Sequence, residues 1–528
     1  MVRLLTLLSL LAAGSCERRY GLDKDGYHRD DVGSRRSLQT PSTPAPELES
    51  EYWSRDAQSE LGERAWYDGS SGYARNVVMF LGDGMSVATL TAARTLLAQR
   101  RGQTGEESRL SFEHFPTVGL SKTYCLDAQV ADSACSASAY LCGAKANLGT
   151  IGVSGHVARH HCTAATDAAH QLASIASWAL DADRDAGIVT TARVTHASPA
   201  GAYAHTADRN WESDGDVTAG CSGHAQLDIA QQLVHARPGK DFKVILGGGR
   251  REFLPNTMTD EEGSRGRRYD GRNLISEWLT EKDSRGATHE YVWNRQQLME
   301  VSEELPEYLL GLFEPSHLQY HMEANHTMEP TLAELTEVAI KSLSRNKEGF
   351  FLFVEGGRID HAHHENLAHL ALDETIELSA AVEKARELLS EQDSLIVVTA
   401  DHAHVMSISG YTQRGGDILG PSDALGDDGI PYMTLSYGNG PGYREPRGGQ
   451  RVDPTRQDYR GSEYVYPAAV PLDSETHGGD DVAVFAWGPH HALFSGLYEQ
   501  SHIPHRMAYA ACIGPGKHAC QHSPHSTT

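Results

Sequence analysis

The stretch VEGGRIDHAHHENLAH, residues 354–369, puts Asp360 and His364 four positions apart. On a helix they share one face and can grip a single cation, while His361 falls on another face. A carboxylate or imidazole cluster brought into a protein interior is costly without a partner, so other segments have to complete the set. Asp401-His402, in VTADHAHV, offers one carboxylate oxygen and one imidazole nitrogen to a second ion. Asp83, in FLGDGM, has two oxygens and can bridge ions, and His477, in SETHGGDDVAVF, adds a further imidazole. Mixed Asp/His ligation suits zinc, whereas Asp83, Ser198 and Glu355 make an all-oxygen set that suits magnesium. Taken singly, each has an ordinary explanation: a turn aspartate, a helix cap, a surface histidine.

VADSACSASAY, residues 130–140, sets Asp132-Ser133 at the start of a small-residue helical run. A serine there would face a bound anion beside free backbone N–H groups. Coordination by zinc could lower its hydroxyl pKa enough to make a nucleophile without a general base. Arg209, in AHTADRNWESD, carries a planar guanidinium that can take two phosphate oxygens at once.

These residues need a scaffold that brings distant segments together. Short apolar, β-branched runs recur between longer helical stretches: NVVMFL (76–81), AGIVTT (186–191), FKVILG (242–247), FFLFV (350–354), LIVVT (395–399) and VAVFAW (482–487). Continuous rather than alternating apolar strands, spaced by helices, predict an α/β fold: a central, mostly parallel sheet flanked by helices on both faces. Asp83, Glu355, Asp401-His402 and His196-Ala197-Ser198 all follow such runs. That is the carboxyl edge of the sheet, where open α/β sheets bind ligands. Convergence of this kind is hard to explain as a set of solvated loops.

The 528-residue chain carries a formal charge of −25, which argues against a nucleic-acid partner. MVRLLTLLSLLAAGS reads as a signal peptide over 1–15, followed by a flexible leader over 16–50 rich in Ser, Pro and charge. The C-terminus KHACQHSPHSTT has no apolar tail of the lipid-anchor kind, so the expectation is a secreted chain with no membrane anchor. Disulfides are expected in that compartment. Asn325-His326-Thr327 is a glycan acceptor.

With these residues in view the sequence resembles the alkaline phosphatases of animals, from about residue 51 to 520. The resemblance is carried by FLGDGM, DSACSASAYLCG, RVTHASPAGAYAH, DRNW, VILGGGRR, GLFEP, FFLFVEGGRIDHAHHE, VTADHAHV and ETHGGDDVAVFA. It implies phosphate monoester hydrolysis at alkaline pH through a phosphorylated Ser133, with Arg209 clamping the phosphate. It implies one zinc at Asp360, His364 and His477, a second at Asp83, Asp401, His402 and Ser133, and magnesium at Asp83, Ser198 and Glu355. Asp132, His196, His361 and His404 would support the metals and the clamp from behind. Calcium would sit at Phe313 (through its carbonyl), Glu314, Glu329 and Glu262. The resemblance further implies disulfides Cys162–Cys221 and Cys512–Cys520 and a homodimer. It divides the chain into an N-terminal arm (51–66), a catalytic domain (67–409 and 475–512) with a small crown insertion (410–474), and a tail (513–528). The pairing of Cys125, Cys135 and Cys142 stays open, and the first two depart from the family's usual residues.

Other readings were open. A sulfatase nucleophile lies in a C/S-x-P-x-R context that Ser133-Ala-Cys-Ser-Ala lacks. A phosphodiesterase of the same superfamily typically uses Thr and lacks the arginine. A non-catalytic relative would be expected to have lost Ser133 or ligands, and none is lost.

Overall fold

The computed structural model describes residues 44–65, 72–217, 221, 226–446 and 448–522. The signal peptide and most of the leader lie outside these. The leader expected through residue 50 gives way earlier: a 3-10 turn with proline in its first positions spans Ala45–Leu48, and a helix begins at Ser50.

One 10-stranded sheet organises the chain. Eight of its strands are β1 (Asn76–Gly82), β2 (Thr117–Lys122), β3 (Asp185–Arg193), β4 (Val244–Gly248), β5 (His289–Val292), β6 (Tyr308–Leu312), β7 (Phe350–Gly356) and β8 (Ser394–Ala400). Val482–Trp487 and Gly496–Glu499 complete it, in the order Gly496–Glu499, β2, Val482–Trp487, β8, β1, β7, β3, β4, β6, β5. Pairing is parallel throughout except that Val482–Trp487 runs antiparallel to both neighbours.

Why the strands read as unbroken apolar runs is visible in their side chains. Successive residues of a strand point to opposite faces, and here both faces are covered. Val77, Met79 and Leu81 of β1, with Phe351 and Phe353 of β7, pack with Tyr140, Leu141, Ile503 and Met507 on one side. Val78 and Phe80, with Leu352 and Val354, pack on the other with Leu335, Val338, Leu372 and Val382. Each such side chain contributes about 1.5–3 kcal/mol by leaving water.

Two further pieces matter for the site. The strands Met406–Ile408, Leu435–Gly440 and Ala468–Pro471 form a separate three-stranded sheet beside a two-stranded pair, Pro421–Leu425 with Pro431–Met433. All of these strands except Met406–Ile408 fall within residues 410–474, the stretch expected to be a crown insertion. At the other end, helix Ser50–Ala65 lays Trp53, Ala57 and Leu61 into the core at helical spacing. Its Glu60 pairs with Arg506 at 2.8 Å.

Candidate active site

Ser133 opens helix Ser133–Cys142, all of whose residues are buried. The run of Ala and Ser makes this possible, because small side chains let neighbouring segments come close: a Cβ on Gly201 would lie 2.7 Å from Ala137 Cβ. Asp132 is its N-cap and accepts from the Cys135 N–H at 3.1 Å. The other Asp132 oxygen accepts from Arg209 Nη1 at 2.9 Å, and Arg209 is only 2% exposed. Ser133 Oγ lies 3.3 Å from His402 Nε2. Ser133, its cap Asp132 and the Arg209 guanidinium therefore form one continuous unit.

The remaining groups come from the ends of the central strands. Asp83 directly follows β1, Glu355 is the penultimate residue of β7, and Asp401-His402 follow β8. Ser198 lies in the short helix Ala197–Ala200 after β3, with Ser198 Oγ donating to Asp83 Oδ2 at 3.5 Å. Asp360 and His364 share the helix Arg358–His364, 3.3 Å apart. His477 reaches them through a two-residue strand that pairs His477 with His404. Its Nε2 is 3.3 Å from Asp360 Oδ1 and 3.1 Å from His364 Nε2. Gly84 makes this approach possible: its φ is +68°, and a Cβ there would lie 2.3 Å from the His404 ring.

Ligand-type atoms gather in two groups that share Asp83: Asp83, Asp401 and His402, and Asp83, His196 and Glu355. Asp360, His402, His404 and His477 form another. His361 is not among the gathered groups. Its ring packs against His317 (centroids 4.1 Å) and His196 (5.5 Å).

The donor set fits divalent cations. Asp83, Glu355, Asp360 and Asp401 are all 0% exposed. Each keeps one oxygen that accepts no hydrogen bond: Asp83 Oδ1, Glu355 Oε1, Asp360 Oδ2 and Asp401 Oδ2. Burial, then the charges of Asp401, Asp360 and Glu355, raise the Asp83 carboxyl well above its usual range. Burial pushes Glu355 up to about 7. The imidazoles are equally prepared. His364 Nδ1 meets the Glu475 carbonyl, His402 Nδ1 the Ala403 carbonyl at 3.3 Å, and His477 Nδ1 the Ala131 carbonyl at 2.8 Å. A carbonyl only accepts, so these contacts put the proton on Nδ1 and leave each Nε2 lone pair facing the cluster. Excess negative charge and opposed lone pairs call for cations.

His404 is different. Its two ring nitrogens meet Asp360 Oδ1 (2.6 Å) and the Glu475 carboxylate. Burial disfavours its charge, but Glu475 and Asp360 outweigh that and push its pKa up to about 10. Flanked by two carboxylates, its ring favours the protonated form and orients Asp360. Glu475 escapes the sequence reading although it stands two residues before His477. Thr190, which donates to Glu355 Oε2, carries no sequence signal.

Away from this edge, burial and the neighbouring Glu314 push Glu329 up to about 9. Glu314 is raised by burial and also feels Glu262, whose carboxylate pairs with Arg250 Nη2 at 2.9 Å. Phe313 is buried just before Glu314. Of the residues expected to hold calcium, Glu314 and Glu329 are hydrogen-bonding neighbours and Glu262 acts on Glu314 through its charge, but among the described residues their carboxylates do not gather into one ligand group. Cys162 and Cys221 are joined, and so are Cys125 and Cys135, while Cys142 is a buried free thiol. Cys512 is disulfide-bonded; the Cys520 side chain lies outside the described residues. Asn325 is exposed, with Thr327 Oγ1 donating to its Oδ1 at 2.7 Å.

What has been assembled at this sheet edge is equipment for moving a phosphoryl group, and the class it defines is the metal-dependent phosphohydrolases. The family model for alkaline phosphatase matches residues 74–513, and the chain belongs to the alkaline phosphatase family. It is 58% identical over 503 residues to the membrane-bound alkaline phosphatase of Bombyx mori, covering 94% of this chain and 91% of that one. It is 47% identical to the tissue-nonspecific isozyme of Rattus norvegicus, covering 90% and 91%. The fold matches Thermus thermophilus alkaline phosphatase with a TM-score of 0.60 at 22% identity, covering 86% of this chain and 94% of that one. The chain is accordingly a phosphoric monoester hydrolase, metal-dependent and working through a covalent intermediate as its family does. Among the described residues no helix is long and apolar enough to cross a membrane.

Proposed function

We propose that Ser133 is the nucleophile and Arg209 the phosphate clamp of this hydrolase. Two zinc ions would be held by Asp360, His364 and His477 and by Asp83, Asp401, His402 and Ser133, and one magnesium by Asp83, Ser198 and Glu355. These cations would supply positive charge for attack and for alkoxide departure, and acidify a water. Calcium at Phe313, Glu314, Glu329 and Glu262, a homodimer and secretion complete the reading; the two disulfides between described cysteines support an oxidising compartment.

The chain's own residues then act as follows. Arg209, oriented by Asp132, takes phosphate oxygens in its planar fork, and the first N–H groups of helix Ser133–Cys142 face the same anion. Ser133 gives up its hydroxyl proton to solvent and its Oγ forms a bond to phosphorus as the bond from phosphorus to the ester oxygen breaks in line with it, the departing oxygen taking a proton from water. Water then attacks the phosphoserine, the Oγ–P bond breaks, and inorganic phosphate leaves. His402, kept neutral by burial and then by His477, leaves its Nε2 lone pair beside Ser133 Oγ.

The observation that carries this reading is Ser133 Oγ at 3.3 Å from His402 Nε2, with the Asp132–Arg209 pair on the same helix start. The test is hydrolysis of p-nitrophenyl phosphate before and after EDTA and after restoring zinc and magnesium, with Ser133→Ala and bis-p-nitrophenyl phosphate alongside. Chelator-sensitive monoesterase activity that requires Ser133 supports it. Full activity of Ser133→Ala would sink it.

A further inference from the structure

The Cys125–Cys135 disulfide spans 10 positions of sequence. Both cysteines are buried with Ala131 and Ala146 in a small apolar cluster. The segment so closed runs directly into the site, and three consecutive residues on it have tasks there. The Ala131 carbonyl meets His477 Nδ1 at 2.8 Å, Asp132 holds Arg209, and Ser133 faces His402. Asp132 Oδ1 also accepts from the Cys135 and Gly149 N–H groups, both at 3.1 Å. Arg209 N in turn donates to the Gly149 carbonyl at 2.9 Å. The two sulfurs and an Asp132 oxygen lie within 4.8 Å of one another. Upstream the segment is held by Cys125 N donating to the Ala128 carbonyl, Leu126 N to the Ala146 carbonyl and Leu148 N to Asp127, with Leu126 packed against the main core. Val130, next to the tasked residues, is 39% exposed.

We propose that the Cys125–Cys135 disulfide is a positioning element of the phosphate clamp. It ties the segment 126–132 to the first turn of the nucleophile helix, so that Asp132 holds the Arg209 guanidinium at one orientation. The proposal rests on Arg209 being the clamp. Helix starts fray readily, and Asp132 stands at such a start while serving several donors at once. A clamp on phosphate acts on substrate and product alike, so its loosening appears in KM and in inhibition by inorganic phosphate together, with kcat little changed.

The experiment compares the wild type with the Cys125→Ala/Cys135→Ala double variant and with Arg209→Ala, all matched in metal content by mass spectrometry. For the double variant, KM for p-nitrophenyl phosphate and the inhibition constant of inorganic phosphate rise in parallel by about three- to tenfold. If Arg209→Ala leaves phosphate affinity unchanged, the clamp reading itself fails and the proposal with it. If Arg209→Ala weakens phosphate binding but the double variant binds phosphate like wild type, whatever its melting temperature, the proposal alone is overturned. Should the double variant not fold, the wild type is titrated with dithiothreitol, which becomes a cyclic disulfide as each protein disulfide becomes two thiols. Mass spectrometry then assigns each opening. Phosphate affinity must fall with opening of Cys125–Cys135 and recover on reoxidation; affinity that follows a different disulfide overturns the proposal.

Discussion

Glu475→Gln is a substitution whose size can be reasoned from the contacts around it. Glu475 is 2% exposed and accepts from His404 Nδ1 with one oxygen and from Val405 N at 2.8 Å with the other. His404 thereby favours its protonated form between Glu475 and Asp360. Glutamine keeps the shape but removes the charge and offers one acceptor oxygen to two donors, so the ion pair with His404, worth about 1.5–3 kcal/mol, is lost and an NH2 group is left facing an N–H. His404 then leans more heavily on Asp360, and the cluster loses one negative charge. Both effects lower the hold of Asp360, His364 and His477 on a cation. The expected result is zinc affinity reduced about tenfold, measured by reloading the stripped protein against a competing chelator. Zinc affinity within about twofold of wild type would refute the idea that Glu475 and His404 set the strength of that cation site.

Ser133→Ala should lose turnover by about four orders of magnitude or more, and the phosphoserine mass increment seen on acid quenching of wild type should vanish with it. His505 is buried against the Gly143 carbonyl and Trp178, and burial lowers its pKa from 6.5 to about 4. Its contribution is therefore complete above about pH 6.5 and lost as pH falls through about 4, on the order of 3 kcal/mol in all. Urea unfolding at pH 7 and pH 4 should show a smaller acid loss for His505→Gln than for wild type. Phe353→Ala removes a fully buried ring stacked on Tyr140 (centroids 6.3 Å); it should cost about 3–5 kcal/mol by denaturant unfolding, with KM little changed in the protein that folds.

The fold was legible where burial on both faces wrote itself as an unbroken apolar run, as in β1, β7 and β8. It was not legible in TVGLSK, which became β2: its side chains alternate between buried and exposed, and such a short polar-spaced stretch carries little signal. Nor does any local pattern state that Val482–Trp487 runs antiparallel, since that is decided by its neighbours β2 and β8. Much the same division holds at the site. Ligand types at strand ends stood out because the strands did. Glu475 did not, because its work depends on a two-residue pairing of His477 with His404 across a long insertion. The join of Cys125 to Cys135 depends likewise on how one loop folds back.

The order of strands has a consequence for how the molecule comes into being. β1 lies between β7 and β8, whose residues follow it by hundreds of positions. The contact of His477 with Ala131 closes a separation of 346 residues, and that of Ser133 with His402 one of 269. Contacts so remote in sequence form late and slowly. During synthesis the amino-terminal half, with helix Ser133–Cys142 already emerged, lacks β7 and β8, the strands on either side of β1, and has no complete set of ligands. Capture of the cation proposed for Asp360, His364 and His477 must therefore wait for the last of these residues, and a ribosome stalled before residue 477 carries a polypeptide unable to finish that site.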